Sequence, residues 1–124
     1  ELHSVMAHFA KLDSENIVTE VVEVADAASP DEATGVALLK SLHGADTTWK
    51  LTDREAHAGS GFRANYAAVG GKYREAEDVF TGVPAEYPSW TLNTTSWQYE
   101  CPVPRPEDGN DHVWNEGAQT WDVV

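Results

Sequence analysis

"MAHFAKLDSENIVTEVVEVA", residues 6–25, decides the architecture of this chain. Two runs, "AHFAKL" and "IVTEVVEV", flank "DSEN", a cluster of turn formers, so the stretch reads as two strands joined by a short turn. The second run is dominated by β-branched residues, which fit a pleated, half-buried surface. Strict alternation places Val18, Glu20, Val22 and Val24 on one face, with Ile17, Thr19, Val21 and Glu23 on the other. Valines on both faces are expected of a strand covered from two sides.

One covering element follows directly. "SPDEATGVALLKSLHG", residues 29–44, predicts a helix over about 30–43. Ser29 is placed as N-cap, Pro30 as first helical residue, and Glu32 completes a Ser-x-x-Glu capping box. Asp31 and Glu32 suit the positive end of the helix dipole. Leu38, Leu39 and Leu42 form an apolar stripe with Val36 at its edge, directed at a sheet. Lys40 and His43 belong to the last turn, and Gly44 is the terminator. "TTWKLT", residues 47–52, then reads as a short strand, and "DREAHAGSG" as loop. "FRANYAAVGGKY", residues 62–73, holds two short extended pieces around Gly70 and Gly71.

Beyond residue 72 the pattern changes. Aromatic residues recur seven positions apart, as Tyr73 and Phe80, Trp90 and Trp97, and Trp114 and Trp121. The residues between them are rich in turn formers. In a short hairpin, positions i and i+7 can face each other across the strands, and such a pair adds roughly 0.2–1 kcal/mol to its area burial. Three aromatic-clamped hairpins are therefore expected at 73–80, 90–97 and 114–121. The stretches between them contain every proline except Pro30 and are expected to run extended. The fold class is α+β: a mainly antiparallel sheet with one amphipathic helix packed on it, followed by short hairpins. Residues 6–124 are expected to form a single domain. Met6 reads as a natural start, with residues 1–5 an upstream remnant or an N-terminal arm.

Isolated hairpins are marginal in water. They must pack on the sheet, on each other or on another protein, so the six clamp residues (Tyr73, Phe80, Trp90, Trp97, Trp114 and Trp121) are core residues or an interface. Tryptophan is enriched at interface hot spots, which makes these six the candidate interface.

Charge and composition exclude several functions. The net charge is −13, from 21 acidic and 8 basic residues. Nonspecific nucleic-acid binding needs the opposite sign, and so does docking on an anionic membrane. A basic partner surface would suit it. No stretch reaches the length of apolar sequence that spans a bilayer. The one cysteine, Cys101, forms no intrachain disulfide and reads as a buried structural thiol. The five histidines, at 3, 8, 43, 57 and 112, have no zinc-ligand spacing and read as surface or turn residues. "EDGND", residues 107–111, lacks the twelve-residue pattern of an EF-hand and reads as a turn. "NTT" at 93–95 matches a glycosylation sequon but reads as accidental. No nucleophile is paired with a base. The expectation is a non-enzyme with no cofactor.

Several pieces occur together in order: "MAHFAKLD" (6–13), "LHG" followed by "WK" (42–50), "FRANYAAVGGKY" (62–73), "YPSW" (87–90) and "VWNEGAQTW" (113–121). In these the chain resembles a family of small virion structural proteins of tailed bacteriophages, especially those infecting marine cyanobacteria. The likeness runs over nearly the whole chain from Met6. "NYAAVGGKY" departs from the family's usual form, which has glycines elsewhere and an aspartate after the tyrosine. The resemblance implies a non-enzymatic capsid decoration, cement or accessory protein, located on the virion and on its head surface in preference to its tail. The partners it implies are the phage major capsid protein or other virion proteins, together with self-association, and neither nucleic acid nor membrane. A tail or tail-fibre component that binds a receptor glycan is the alternative. A small hydrolase or metal-dependent enzyme using the carboxylates is a third.

Overall fold

The computed structural model describes residues 6–25, 31–84 and 87–124. Strands β1 (Met6–Leu12), β2 (Val18–Ala25) and β3 (Thr48–Thr52) form an antiparallel sheet in the order β2-β1-β3. Helix α1 (Glu32–His43) separates β2 from β3. Three two-stranded sheets follow: β4 (Lys72–Arg74) with β5 (Val79–Thr81), β6 (Thr91–Asn93) with β7 (Gln98–Glu100), and β8 (His112–Asn115) with β9 (Thr120–Val123). This is the expected α+β architecture with one helix and three terminal hairpins.

The central strand is covered on both faces. Phe9 and Ala10, successive residues of β1, are both 0% exposed. Phe9 joins Val24, Leu39 and Trp49 in the layer beneath the helix. Ala10 joins Leu12, Val18, Ala67, Tyr73 and Phe80 in a second layer on the opposite face. The helix thus closes one side of the sheet, while the first hairpin and the loop before it close the other.

The turn forms as its residues dictate. Asp13 Oδ1 accepts from the backbone N–H of Glu15 at 2.8 Å and of Ile17 at 3.0 Å, and Asn16 takes the left-handed conformation that asparagine tolerates. The strict alternation expected for β2 does not hold. Lys11 pairs with Glu20 but Leu12 pairs with Val18, so Thr19 is an extra residue in the ladder. This bulge reverses the pleat. Val18 therefore packs with Val21 in the hairpin layer, while Val22 and Val24 face the helix.

The helix begins differently from the expected capping box. Asp31 is the N-cap, and its Oδ1 accepts from Thr34 N–H at 2.7 Å. Ser29 and Pro30 lie outside the described residues. The Glu32 side chain turns away to the sheet edge, where it has stronger partners. At the other end Gly44 caps as expected, donating its N–H to the Lys40 carbonyl at 2.8 Å. Leu39 is buried with Gly35, but Leu42 is 69% exposed, and in the last turn it is His43 whose ring meets Trp49, at 5.0 Å.

Residues 62–71 form no strand. Arg63 and Ala64 both have positive φ and turn the chain sharply, so the two extended pieces expected there reduce to β4. Backbone hydrogen bonds tie β4 to the first turn: Val18 N–H donates to Gly71 O at 2.8 Å, and Tyr73 N–H to Asn16 O at 2.9 Å.

The three hairpins share one plan. The closing pairs are Arg74 with Val79, Asn93 with Gln98, and Asn115 with Thr120, each leaving a four-residue loop. The fourth loop residue is left-handed each time: Asp78 (φ 56), Trp97 (φ 55) and Gln119 (φ 54). Two of the expected clamps are directly opposed pairs, Tyr73 with Phe80 and Trp114 with Trp121. The middle one is not. Trp90 precedes β6 and Trp97 is the left-handed loop residue, so the facing pair is Leu92 with Tyr99. Asn93 and Asn115 play the same part in their loops. Asn93 Oδ1 accepts from Thr95 and Ser96 N–H, and Asn115 Oδ1 from Ala118 N–H. Each then donates across the strands, Asn93 to Glu100 and Asn115 to Asp122.

The second hairpin docks through close backbone approach. At Gly59 (φ +82) an added Cβ would lie 2.8 Å from Ser96 Cα and 2.9 Å from the Thr95 and Ser96 carbonyl oxygens. Gly59→Ala is expected to cost about 1–3 kcal/mol, through the positive φ and the clash with backbone that cannot yield. Urea unfolding measures the loss, and a red shift of tryptophan emission reports the displaced Trp97.

Candidate functional site

Two polar and aromatic clusters stand out from the apolar layers. The first is centred on Arg63, whose side chain is 10% exposed. Its Nη1 donates to Glu32 Oε2 at 2.7 Å and to the Leu51 carbonyl at 2.8 Å. Its Nη2 donates to Glu32 Oε1 at 3.1 Å, and its Nε to Asp78 Oδ1 at 2.8 Å. Tyr73 donates its hydroxyl to the same Asp78 oxygen. Glu32 Oε2 also accepts from Leu51 N–H at 2.8 Å. The outward N–H and C=O of Leu51, on an edge strand, are thus occupied by a carboxylate and a guanidinium rather than by another strand. That blunts an edge that would otherwise template pairing.

The electrostatics follow from these contacts. Burial would raise the Glu32 carboxyl, but hydrogen bonds from Arg63 and Leu51 outweigh it and hold the group below its usual range. The Tyr73 hydroxyl and the Arg63 charge hold Asp78 low. Burial and the Asp78 carboxylate push Tyr73 up to about 12. The cluster fastens the helix start, β3, the 62–65 loop and the first hairpin together. The Arg63 fork, both Glu32 oxygens and the Tyr73 hydroxyl are all directed at other protein groups, which is the arrangement of a structural clasp.

The second cluster is aromatic. Tyr87 and Trp90 lie 5.5 Å apart, Trp90 and Trp114 6.3 Å, and Trp114 and Trp121 5.2 Å, mostly tilted or edge-on. Glu116 sits beside them. Its carboxylate accepts from the Trp114 indole at 2.8 Å and from both the hydroxyl and the backbone N–H of Ser89. These bonds, led by the indole, keep Glu116 below its usual pKa. The Trp121 indole donates to the Val103 carbonyl at 2.8 Å, and the Arg105 guanidinium lies 5.7 Å from the Trp121 ring centre. Tilted and edge-on rings, with the indole N–H groups of Trp114 and Trp121 hydrogen-bonded and that of Trp90 buried without a partner, make a small aromatic core for the C-terminal stretch. Glu116→Ala is expected to release residues 87–90 from the last hairpin, seen as loss of near-ultraviolet tryptophan circular dichroism with the far-ultraviolet signal retained.

The six candidate interface residues divide between core and surface. Tyr73 and Phe80 are buried in the layer behind the sheet, so the interface expectation does not hold for them. A hairpin flush against the sheet spends its apolar face there. Trp114 is buried in the aromatic core. Trp90, Trp97 and Trp121 are half-buried. Trp97 and Trp121 each have a guanidinium over the ring, from Arg74 at 5.3 Å and Arg105 at 5.7 Å.

The expectation of surface histidines fails at two positions. His8 and His112 are buried, with Nε2 of each facing a carboxylate: Glu23 at 3.2 Å and Asp108 at 3.3 Å. Cys101 is half-buried rather than buried. Among the described residues, no group of three or more His, Cys, Asp or Glu side chains could hold a metal ion, and no helix is long and apolar enough to cross a membrane. Sequence reasoning missed the Arg63 clasp entirely. Its members, at 32, 51, 63, 73 and 78, share no spacing that marks them as neighbours.

No protein-family model, curated protein or solved structure matches this chain.

Proposed function

We propose that this chain is a non-enzymatic structural component of a tailed-phage particle, seated on the head surface as a decoration, cement or accessory protein. The observation that carries the reading is the C-terminal half: three hairpins of one plan, strung out as separate two-stranded sheets instead of merging into one. The first spends its edges on the first turn and the 63–65 loop, and the second and third keep strand edges of the kind that assemble with other copies or other chains. Residues 75–124 hold ten carboxylates against Arg105 and His112, a charge balance that suits a basic protein surface and repels packaged DNA. The likeness of the opening, "YPSW" and final-hairpin segments to small virion proteins supports the same reading.

The tail-fibre reading requires tryptophan faces open to sugar. Arg74 and Arg105 lie over Trp97 and Trp121, the two rings that would serve it best, and this favours the head-surface reading. The test is to tag the C-terminal end, purify particles and image the tag. A regular array over the head is the expected result. Tag confined to the tail tip would favour the glycan-binding alternative, and its absence from particles would overturn both.

A further inference from the structure

A cavity of about 340 Å³ opens where the start of β1 meets the end of β3, lined by Met6, Ala7, His8 and Leu51 together with Thr52–Arg54 and Phe62. Its volume falls within the range of small-ligand sites. It shares only Leu51 with the clasp, whose backbone is engaged there, and no residue with the aromatic core. Phe62 is 41% exposed although large and apolar, and the neighbouring Tyr66, edge-on to His8, is 37% exposed. Arg63 lies over one face of Phe62 at 4.8 Å and so fixes the ring at the cavity wall.

The informative residue is Arg54. This chain carries 21 carboxylates. Arg63 is held by Glu32 and Asp78, Arg74 by Glu77, and Arg105 by the Trp121 ring. Arg54 alone among the four arginines has no carboxylate or ring partner among the described residues. Asp53, directly beside it, does not pair with it, and one Asp53 oxygen instead accepts from Glu55 N–H at 2.9 Å. An exposed guanidinium with its fork of donors free, at the mouth of a cavity walled by Met6, Leu51 and Phe62, matches one ligand chemistry. The apolar wall takes an aromatic or branched aliphatic body, and the guanidinium takes a carboxylate in bidentate fashion.

We propose that this cavity binds a small carboxylate with an apolar body, its acid on Arg54 and its body against Phe62 and Leu51. Such a group is either a free organic acid or the terminal carboxylate of an apolar peptide residue. The site stands apart from the particle-surface reading, and each can fail without the other. The probe is phenylacetate, titrated into the ¹⁵N-labelled full chain and followed by amide chemical shifts. Phenylacetamide is the neutral isostere, and N-acetylphenylalanine is the mimic of a peptide terminus.

Saturable millimolar binding of phenylacetate is expected, with shifts confined to residues 7–8, 51–54 and 62. The amide should bind about tenfold more weakly, and Arg54→Gln should weaken the acid by about the same factor. Arg54 is exposed and without a partner, so the substitution leaves the fold intact, which the unchanged remainder of the spectrum verifies. N-acetylphenylalanine binding more tightly than phenylacetate would identify the peptide source, and weaker binding the free acid. Equal affinity for acid and amide, indifference to Arg54→Gln, or no saturable shifts in the millimolar range would each overturn the proposal.

Discussion

Phe80→Ala is expected to cost about 3–5 kcal/mol, the largest loss of any single substitution considered, read as a fall in the urea midpoint at unchanged slope. Phe80 is fully buried beside Ala10, Val18 and Tyr73. Its ring lies 5.2 Å from that of Tyr73, and its backbone N–H donates to the Arg63 carbonyl at 2.9 Å. Little can collapse into the space left behind, because the sheet backs it on one side and the Arg63 clasp on the other. The matching position of the second hairpin is Tyr99, which faces Leu92 and is half-buried. Tyr99→Ala is expected to cost about 1 kcal/mol. A comparable loss at both sites would show that the second hairpin is as deeply integrated as the first.

Arg63→Met should produce the second largest effect, about 3 kcal/mol at neutral pH. It leaves the Leu51 carbonyl without its side-chain donor and the half-buried Glu32 carboxylate with only the Leu51 N–H and no countercharge. Asp78 is more exposed and contributes less, because water screens it. The pH dependence separates this loss from a packing defect. Glu32 and Asp78 have folded pKa values below their ordinary 4.5 and 3.8. A depressed carboxyl stabilises the fold above its unfolded pKa, and that stability disappears as pH falls through the lower, folded value. The wild-type chain should therefore lose stability steeply below about pH 4.5, while the Arg63→Met chain starts lower and declines less. Urea unfolding at a series of pH values should show the two curves converging in acid. Curves that stay parallel down to low pH would assign the loss to packing rather than to charge.

The broad architecture was legible because it rests on local signals. The "DSEN" turn, the helix terminator at Gly44 and the seven-residue aromatic spacing all act over a few residues, and each marked its element. The signals failed where a long-range contact outbid a local one. Glu32 forms the last residue of a capping box on paper, yet Arg63, thirty-one positions away, offers it two hydrogen bonds, and Asp31 caps the helix. The β2 faces were misread because one bulge residue, Thr19, shifts the alternation. The middle hairpin was misplaced by two residues because Trp90 and Trp97 reproduce the spacing that belongs to Leu92 and Tyr99. The cavity beside Arg54 was invisible in the sequence, since it depends on which arginine goes without a carboxylate, and that is settled only by the packed chain.

The shared loop plan has a consequence for how such a chain can change over time. Each hairpin closes its own turn with its own residues, an asparagine in two cases and Arg74 with Glu77 in the first. The exposed tip positions then behave as exchangeable ones: residues 94–95 and 117–119 can change sequence without altering the strands that carry them, while Trp97 and Glu116 stay fixed by contacts outside their loops. Extension follows the same logic, since one more hairpin spliced into the proline-rich stretch at 102–106 would lengthen the molecule and leave its sheet and helix as they are. Reach and surface chemistry can thus diversify in the hairpins while the sheet and its helix stay constant.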